Sequence, residues 1–301
     1  RRDLSEDELR EKLETARTTL LEERSNRPRP GLDDKVLTDW NGLMIAALAV
    51  TARTVDGDTS TYENAAVDAA AFLLDTMRDD DGRLLHRYRD GDAGIRAHLD
   101  DYAFLAWGLV ELYETTFDVR WLKAAVELTE ECIAHFADDE RGGFYQTADD
   151  GEALIVRQKE ATDGALPSGN SVWLRTLLRL ARLTGRTEWE DVAADLHAWA
   201  GKQVNSQPGS FTALLMGTQF ALSNTREVVL AGDRDDEDMQ AFIEAVRSVY
   251  APNTVVLHRP AGDAPEIVRL APFTETQTPI DGQPAAYVCR NFACDRPTTD
   301  P

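Results

Sequence analysis

The sequence predicts a mainly α protein, an array of αα-hairpins bent into a toroid or a curved solenoid, with a small α/β lobe near its C-terminal end. Three observations predict it. Tyr62 with Ala65 and Ala66, Trp121 with Ala124 and Ala125, and Trp189 with Val192 and Ala193 repeat an aromatic followed by small apolar residues, roughly every 60 to 70 residues. The helices before these aromatics are apolar on nearly every face, whereas those they open carry one apolar stripe and a charged face, which assigns inner and outer layers. After residue 225 the pattern changes to an apolar strand, an amphipathic helix and a second apolar strand, a βαβ unit.

An amphipathic helix over 5–23 leads into the Pro-rich break at 27–31, so 1–30 reads as a helix with a linker, 31–224 as the hairpins and 225–301 as the lobe. Thr38 or Asp39 is placed to cap the first inner helix, 40–52, and the outer helix 62–77 follows the turn at 56–60. The next pair is 102–113 and 121–136. Its outer helix turns Trp121, Ala125, Leu128, Cys132 and Phe136 inward and Lys123, Glu127, Glu130 and Glu131 to water. The third pair is 172–183 and 189–199, and a further inner-type helix spans 211–222. Two connections, 81–91 and 141–151, each read as a β-hairpin with an Asp-Gly turn, and an offset of about 60 relates them. The lobe reads as a strand at 227–232, a helix at 236–250 and a strand at 254–257, with 260–301 mostly irregular.

At 301 residues and 43% hydrophobic, the chain can bury a large core. Its 54 acids against 32 bases give a net charge of -22, which repels nucleic acid and anionic membranes. The five lysines are Lys12, Lys35, Lys123, Lys159 and Lys202; an acidic surface with scarce Lys suits a halophile. No apolar run approaches the eighteen or so residues of a membrane span, and a charged helix stands where a secretory signal would sit, so the expected location is cytoplasmic. The first residue is Arg1, and the chain reads as a piece of a longer one.

Cys132 falls on an apolar helical face, and Cys289 with Cys294, a lone C-x4-C, reads as a pair of reduced structural cysteines. His86, His98 and His258 are scattered and read as structural or surface histidines. No dinucleotide fingerprint, P-loop, nucleophile elbow or metal cluster is legible, so neither cofactor nor metal is expected.

The inner-helix starts bring acids, rings and amides to one end. Asp39, Asp100, Asp101 and Asp163 are the candidate catalytic acids, as sugar chemistry requires an acid and a carboxylate or base across the reacting carbon. Trp40, Tyr102 and Tyr145 offer ring faces, and Asn41, Lys159, Ser168 and Asn170 offer groups for hydroxyls. Asp100 is expected to cap the helix at Tyr102 and leave Asp101 free for the cavity, with Asn170 aimed at a ligand by Gly169. The opposing reading is that Asp39, Asp100 and Ser168 are helix caps and that Trp40 and Tyr102 are core.

The motifs Asp33-Asp34-Lys35-Val36-Leu37, Asp39-Trp40-Asn41-Gly42-Leu43-Met44, Leu99-Asp100-Asp101-Tyr102-Ala103, Asp163-Gly164-Ala165 with Ser168-Gly169-Asn170-Ser171, and Ala286-Tyr287-Val288-Cys289-Arg290-Asn291-Phe292-Ala293-Cys294 resemble one family over essentially the whole chain. It is the YyaL-type thioredoxin-domain proteins related to spermatogenesis-associated protein 20. The resemblance implies an α/α toroid of the six-hairpin glycosidase type, present here as about half of the ring, preceded in the full-length protein by a thioredoxin-like domain. The expected ligand is a saccharide-like small molecule, met either by a hydrolase or epimerase or by a noncatalytic peptide- or glycan-binding module serving that domain.

Overall fold

The computed structural model describes residues 4–152 and 154–301, in two compact units, Arg1–Lys35 and Val36–Pro301. The first holds α1 (Glu6–Ser25), opened by a capping box in which Ser5 and Glu8 satisfy each other's amides; none of its residues is buried.

The second unit begins with β1 (Val36–Leu37), α2 (Thr38–Thr54), α3 (Ser60–Thr76), β2 (Leu85–Arg89) and β3 (Asp92–Arg96). It continues with α4 (Leu99–Thr116), α5 (Val119–Phe136), α6 (Gly169–Thr184), α7 (Glu188–Val204) and α8 (Thr212–Leu222). Helices α2, α4, α6 and α8 pack side by side in that order, and α3, α5 and α7 each lie outside the helix before them. This is a partial α/α toroid. Helix α4 is the most fully buried of its helices: all of its residues except Asp100 and Trp107 are buried. The outer helix α5 buries the expected stripe, Cys132 included. Glu131 departs from the expectation, being half-buried against Arg83 and accepting from Tyr102 Oη. Trp121 and Trp189 are buried, but Tyr62 on the ring's open side is exposed.

Helices α2, α4 and α6 start two to three residues before the expected positions, with Asp39, Asp100 and Asp101 inside the first turns of α2 and α4, and α8 starts one residue after its expected position. Leu37 caps α2 without a side-chain hydrogen bond, so neither Thr38 nor Asp39 is its N-cap. The β2–β3 connection is the expected hairpin, with Asp90 and Gly91 both at positive φ. The 141–151 connection is not. It forms a single bridge, Ala137 to Phe144, because Asp138 gathers the Glu140 and Arg141 amides, Tyr145 Oη and Lys159 Nζ and holds the backbone in turns.

In the lobe, β4 (Arg226–Ala231), α9 (Glu237–Arg247) and β5 (Thr254–Arg259) form the expected parallel βαβ unit. The tail is more regular than expected. After α10 (Pro265–Leu270), β6 (Ala285–Arg290) pairs antiparallel with β4 and turns through Asn291 and Phe292, both at positive φ, into β7 (Ala293–Cys294). Cys289 and Cys294 are joined as a disulfide across that turn, which corrects the reading of reduced cysteines. One sheet face, through Val229, Val255 and Leu257, shares the toroid's core, while Val228 and Leu230 on the other face pack on Met239, Phe242 and Ile243 of α9. No helix among the described residues is long and apolar enough to cross a membrane. Both open edges of the half ring expose apolar side chains, Trp40 and Met44 on α2 and Met216 and Leu222 on α8.

Candidate functional site

The expected site is built on the N-terminal ends of the inner helices, where four free amides per helix attract carboxylates. Three acids of the motifs, Asp100, Asp101 and Asp163, each hold the start of another helix, whereas Asp39 accepts from the Trp40 amide of its own. Asp101, in the first turn of α4, accepts from the Asp39 amide of α2 at 3.0 Å and from the His98 amide at 2.8 Å, the latter closing a capping box. Asp100 accepts from the Gly169 amide of α6 at 2.9 Å. Asp163 accepts from the Ser168 amide at 3.0 Å and from the Ala213 amide of α8 at 2.8 Å. Gly169 is required by this strap, because a Cβ there would stand 2.4 Å from Asp100 Oδ1.

Several expected ligand-facing groups are structural. Asp101 is 1% exposed, so it is not the acid that turns toward open space, and Asp100 is not the cap of its own helix. Asn170 is fully buried and bridges the Phe144 amide and carbonyl to the Glu160 carbonyl, each at 2.8 to 2.9 Å; it aims at no ligand. Ser168 is the N-cap of α6, accepting from the Ser171 amide, and Asn41 donates to the Leu37 carbonyl. Tyr102 is buried, with its hydroxyl on Glu131 and its pKa raised by that burial. Tyr145 and Lys159 join a separate cluster on Asp138, whose carboxyl is held down to about 2: burial opposes its charge, but the Lys159 and Tyr145 hydrogen bonds outweigh it.

Asp39, Trp40 and Asp100 remain open, together with a histidine that sequence reasoning set aside. His86 on β2 places Nδ1 2.9 Å from Asp101 Oδ1, and its ring lies 5.5 Å from that of His98, so these two are not scattered. The Asp101 hydrogen bond raises the His86 pKa against its partial burial. Burial pushes Asp100 up to about 6, helped by the charges of Asp101 and Asp39 and opposed by the Gly169 amide. Burial, followed by the Asp101 charge, also raises Asp39. Trp40 is 61% exposed rather than core. Asp39, His86 and Asp101 offer ligand atoms within 4.8 Å of one another, a set of metal-ligand types that the sequence did not reveal. Asp101 already accepts from two backbone amides and meets His86, which accounts for the grouping by hydrogen bonds alone.

The larger described cavity, about 510 Å³, lies away from these acids. It sits among the C-terminal halves of the inner helices, beneath the lobe.

Among solved structures, the chain is similar to an α-mannanase of family GH76 from Bacteroides thetaiotaomicron (16% identity, TM-score 0.47, covering 72% of this chain and 58% of that one). It is also similar to a family 105 glycoside hydrolase from C. acetobutylicum (17%, 0.46, 65% and 58%) and to cellobiose 2-epimerase from Bacillus thermoamylovorans (17%, 0.45, 54% and 43%). No family model matches the chain. Among curated proteins it is 35% identical over 292 residues to spermatogenesis-associated protein 20 of Homo sapiens, covering 94% of this chain and 37% of the relative. It is 31% identical over 299 residues to the Mus musculus protein of that name, covering 96% and 38%. The chain thus spans under two fifths of the length of these relatives, and over that stretch its homologues are the proteins named spermatogenesis-associated protein 20.

Proposed function

We propose that the chain is a carbohydrate-acting module, a hydrolase or epimerase for a saccharide-like molecule, with Asp100 and Asp39 as its acid and base. One observation carries the reading: the half-buried Asp100, its pKa raised to about 6, stands near a second acid at an end of the toroid where Trp40 is exposed. Two carboxyls with different tasks are what glycosidic chemistry uses. Gly169 fixes Asp100 Oδ1, while Oδ2 takes no hydrogen bond among the described residues and can give its proton to a departing oxygen. Asp39 takes a proton from the attacking water, and the Trp40 face supports the sugar ring.

A noncatalytic alternative, a glycan- or peptide-binding module serving a thioredoxin-like domain in the full-length protein, is favoured by the commitment of Asp101, Asp163, Ser168 and Asn170 to backbone groups. A glycan array and a panel of nitrophenyl glycosides and reducing disaccharides separate the two. Turnover that falls about 100-fold in Asp100→Asn and in Asp39→Asn supports the enzyme. Binding without turnover, weakened in Trp40→Ala, supports the module. If no saccharide of the array or the panel binds or turns over, the assignment of a saccharide site here is wrong.

A further inference from the structure

The cavity beneath the lobe reverses the charge of the rest of the chain. Acids outnumber bases 54 to 32 overall. Here the charged lining is Arg53, Arg175, Arg179 and Arg247 against Glu111 and Glu114. Both glutamates are already committed. Glu111 takes Arg53 and Arg179, and Glu114 takes Arg179 at 3.0 Å and Arg53 at 3.8 Å. Burial works against the Glu111 charge, yet those two guanidiniums hold its carboxyl well below the usual range.

Two arginines are left over. Arg175, half-buried on α6, makes no hydrogen bond or ion pair among the described residues, although its neighbour one turn on is held by two carboxylates. Arg247 of α9 donates to the Thr115 carbonyl at 2.7 Å and lies 6.0 Å over the Phe117 ring, and it too has no carboxylate partner among the described residues. Burial lowers the pKa of both, and neighbouring positive charge adds to it, from Arg179 at Arg175 and from Arg53 and Arg234 at Arg247. Four guanidinium groups against two carboxylates, two of the four without an ion pair among the described residues, in a cavity with an apolar wall of Val50, Met216, Ile243 and Val246, are complementary to an anion with an apolar body. Trp107 supplies a ring face on the same wall, its Nε1 already turned to Glu111 at 2.9 Å.

The geometry points to a second binding site here, for a small organic anion, a phosphate ester or carboxylate with an apolar body, whose acidic group lies on Arg175 and Arg247 and whose body lies against Trp107 and Met216. It is independent of the saccharide reading, because the acids of that reading belong to the opposite ends of the helices.

The test is calorimetric titration of the whole chain at fixed ionic strength with phenyl phosphate, phenylacetate and neutral benzyl alcohol. At least one anion is expected to bind about tenfold or more tightly than the alcohol, the margin of a charge-assisted hydrogen bond. Whichever anion binds more tightly identifies the head group. Arg175→Gln, which breaks no hydrogen bond or ion pair among the described residues, is expected to fold and lose that margin, and Arg175→Lys to recover part of it. Two results overturn the site: anions binding wild type no better than benzyl alcohol, or an anion margin undiminished in both Arg175→Gln and Arg247→Gln. The first needs no variant, so a folding defect in either substitution leaves the proposal open to refutation.

Discussion

The Asp101 carboxylate receives the Asp39 and His98 amides and His86 within the protein, so Asp101→Ala leaves a cluster of donors without an acceptor. The expected cost is about 3 kcal/mol, the upper part of the range for stripping partners from buried polar groups. Asp100→Asn is expected to behave differently. An amide oxygen still accepts from Gly169, while the charge disfavoured by burial is gone. The folded Asp100 pKa is raised, so between roughly pH 4 and pH 6 the folded chain holds a proton that the unfolded chain has lost, and stability falls as pH rises. His86, also raised, continues the fall above its ordinary value. Asp138 works in the opposite sense, its lowered pKa contributing stability that disappears as pH drops toward about 2. Melts of wild type and both variants from pH 4 to 8 check this: Asp100→Asn should flatten the decline between pH 4 and 6 and melt higher at pH 7.5, and Asp101→Ala should melt far lower throughout. A lower melt for Asp100→Asn at pH 7.5 would contradict the buried-charge account. At this scale the acidic motifs were legible in the sequence, but the partners of Asp100 and Asp101 were not. Adjacent positions on a helix point about 100° apart, and which of Asp100 and Asp101 turns toward α2 or α6 depends on helix packing that a local reading does not contain.

Helices α2 and α4 meet backbone to backbone. A Cβ on Gly42 would stand 2.5 Å from Leu105 N and from Phe104 C, and one on Gly108 would stand 2.7 Å from the Gly42 carbonyl oxygen. Gly42→Ala therefore forces these two helices apart and is expected to cost about 3 kcal/mol in chemical denaturation, the cost of overpacking a tight contact. In an unconstrained helix the same change would stabilise by about 1 kcal/mol, so a variant more stable than wild type would refute the close approach. The alternation of inner and outer helices was legible because the outer α5 has one dry stripe while the inner α4 is apolar on nearly every face, although α2, at the open edge, buries only the stripe of Thr38, Gly42, Ile45, Ala46 and Ala49. The 141–151 connection was misjudged because its turn residues match the first hairpin while its backbone is held by Asp138, Arg157 and Lys159 instead of a ladder. Strand β6 was missed because Pro and Thr around it read as irregular chain, although Ala285 to Arg290, followed by Asn291-Phe292, carries a hairpin signal.

For the whole molecule, the curved hairpin array and its lobe followed from periodicity, and the half ring from the family resemblance, but the arginine-rich cavity followed from neither. Glu111, Glu114, Arg175 and Arg179 punctuate helices that are otherwise apolar, and that interruption was the available signal. It passes unnoticed because a few charges barely change the apolar character of an inner helix, and nothing local says that the lobe will fold over them. The same contrast between interior and surface charge decides how the chain responds to salt. The buried Glu111–Arg179 pair is shielded from ions, and exposed pairs such as Arg10–Glu6 and Lys123–Glu127 are worth roughly 0 to 1 kcal/mol each, so little stability is lost when salt weakens pairing. What salt removes is the repulsion among excess acids, as where Asp233, Asp235, Asp236, Glu237 and Asp238 crowd the start of α9 within a chain of net charge -22. The Debye length shortens from about 30 Å at 0.01 M to about 3 Å at 1 M, so repulsion across the surface fades while contacts in the core persist. The melting temperature is therefore expected to climb steadily from 0.01 to 1 M KCl, with most of the gain at the low end where screening changes the longest-range terms. A flat or falling curve over that range would mean that the acidic surface does not strain the fold, and the reading of its charge as an adaptation to salt would fail with it.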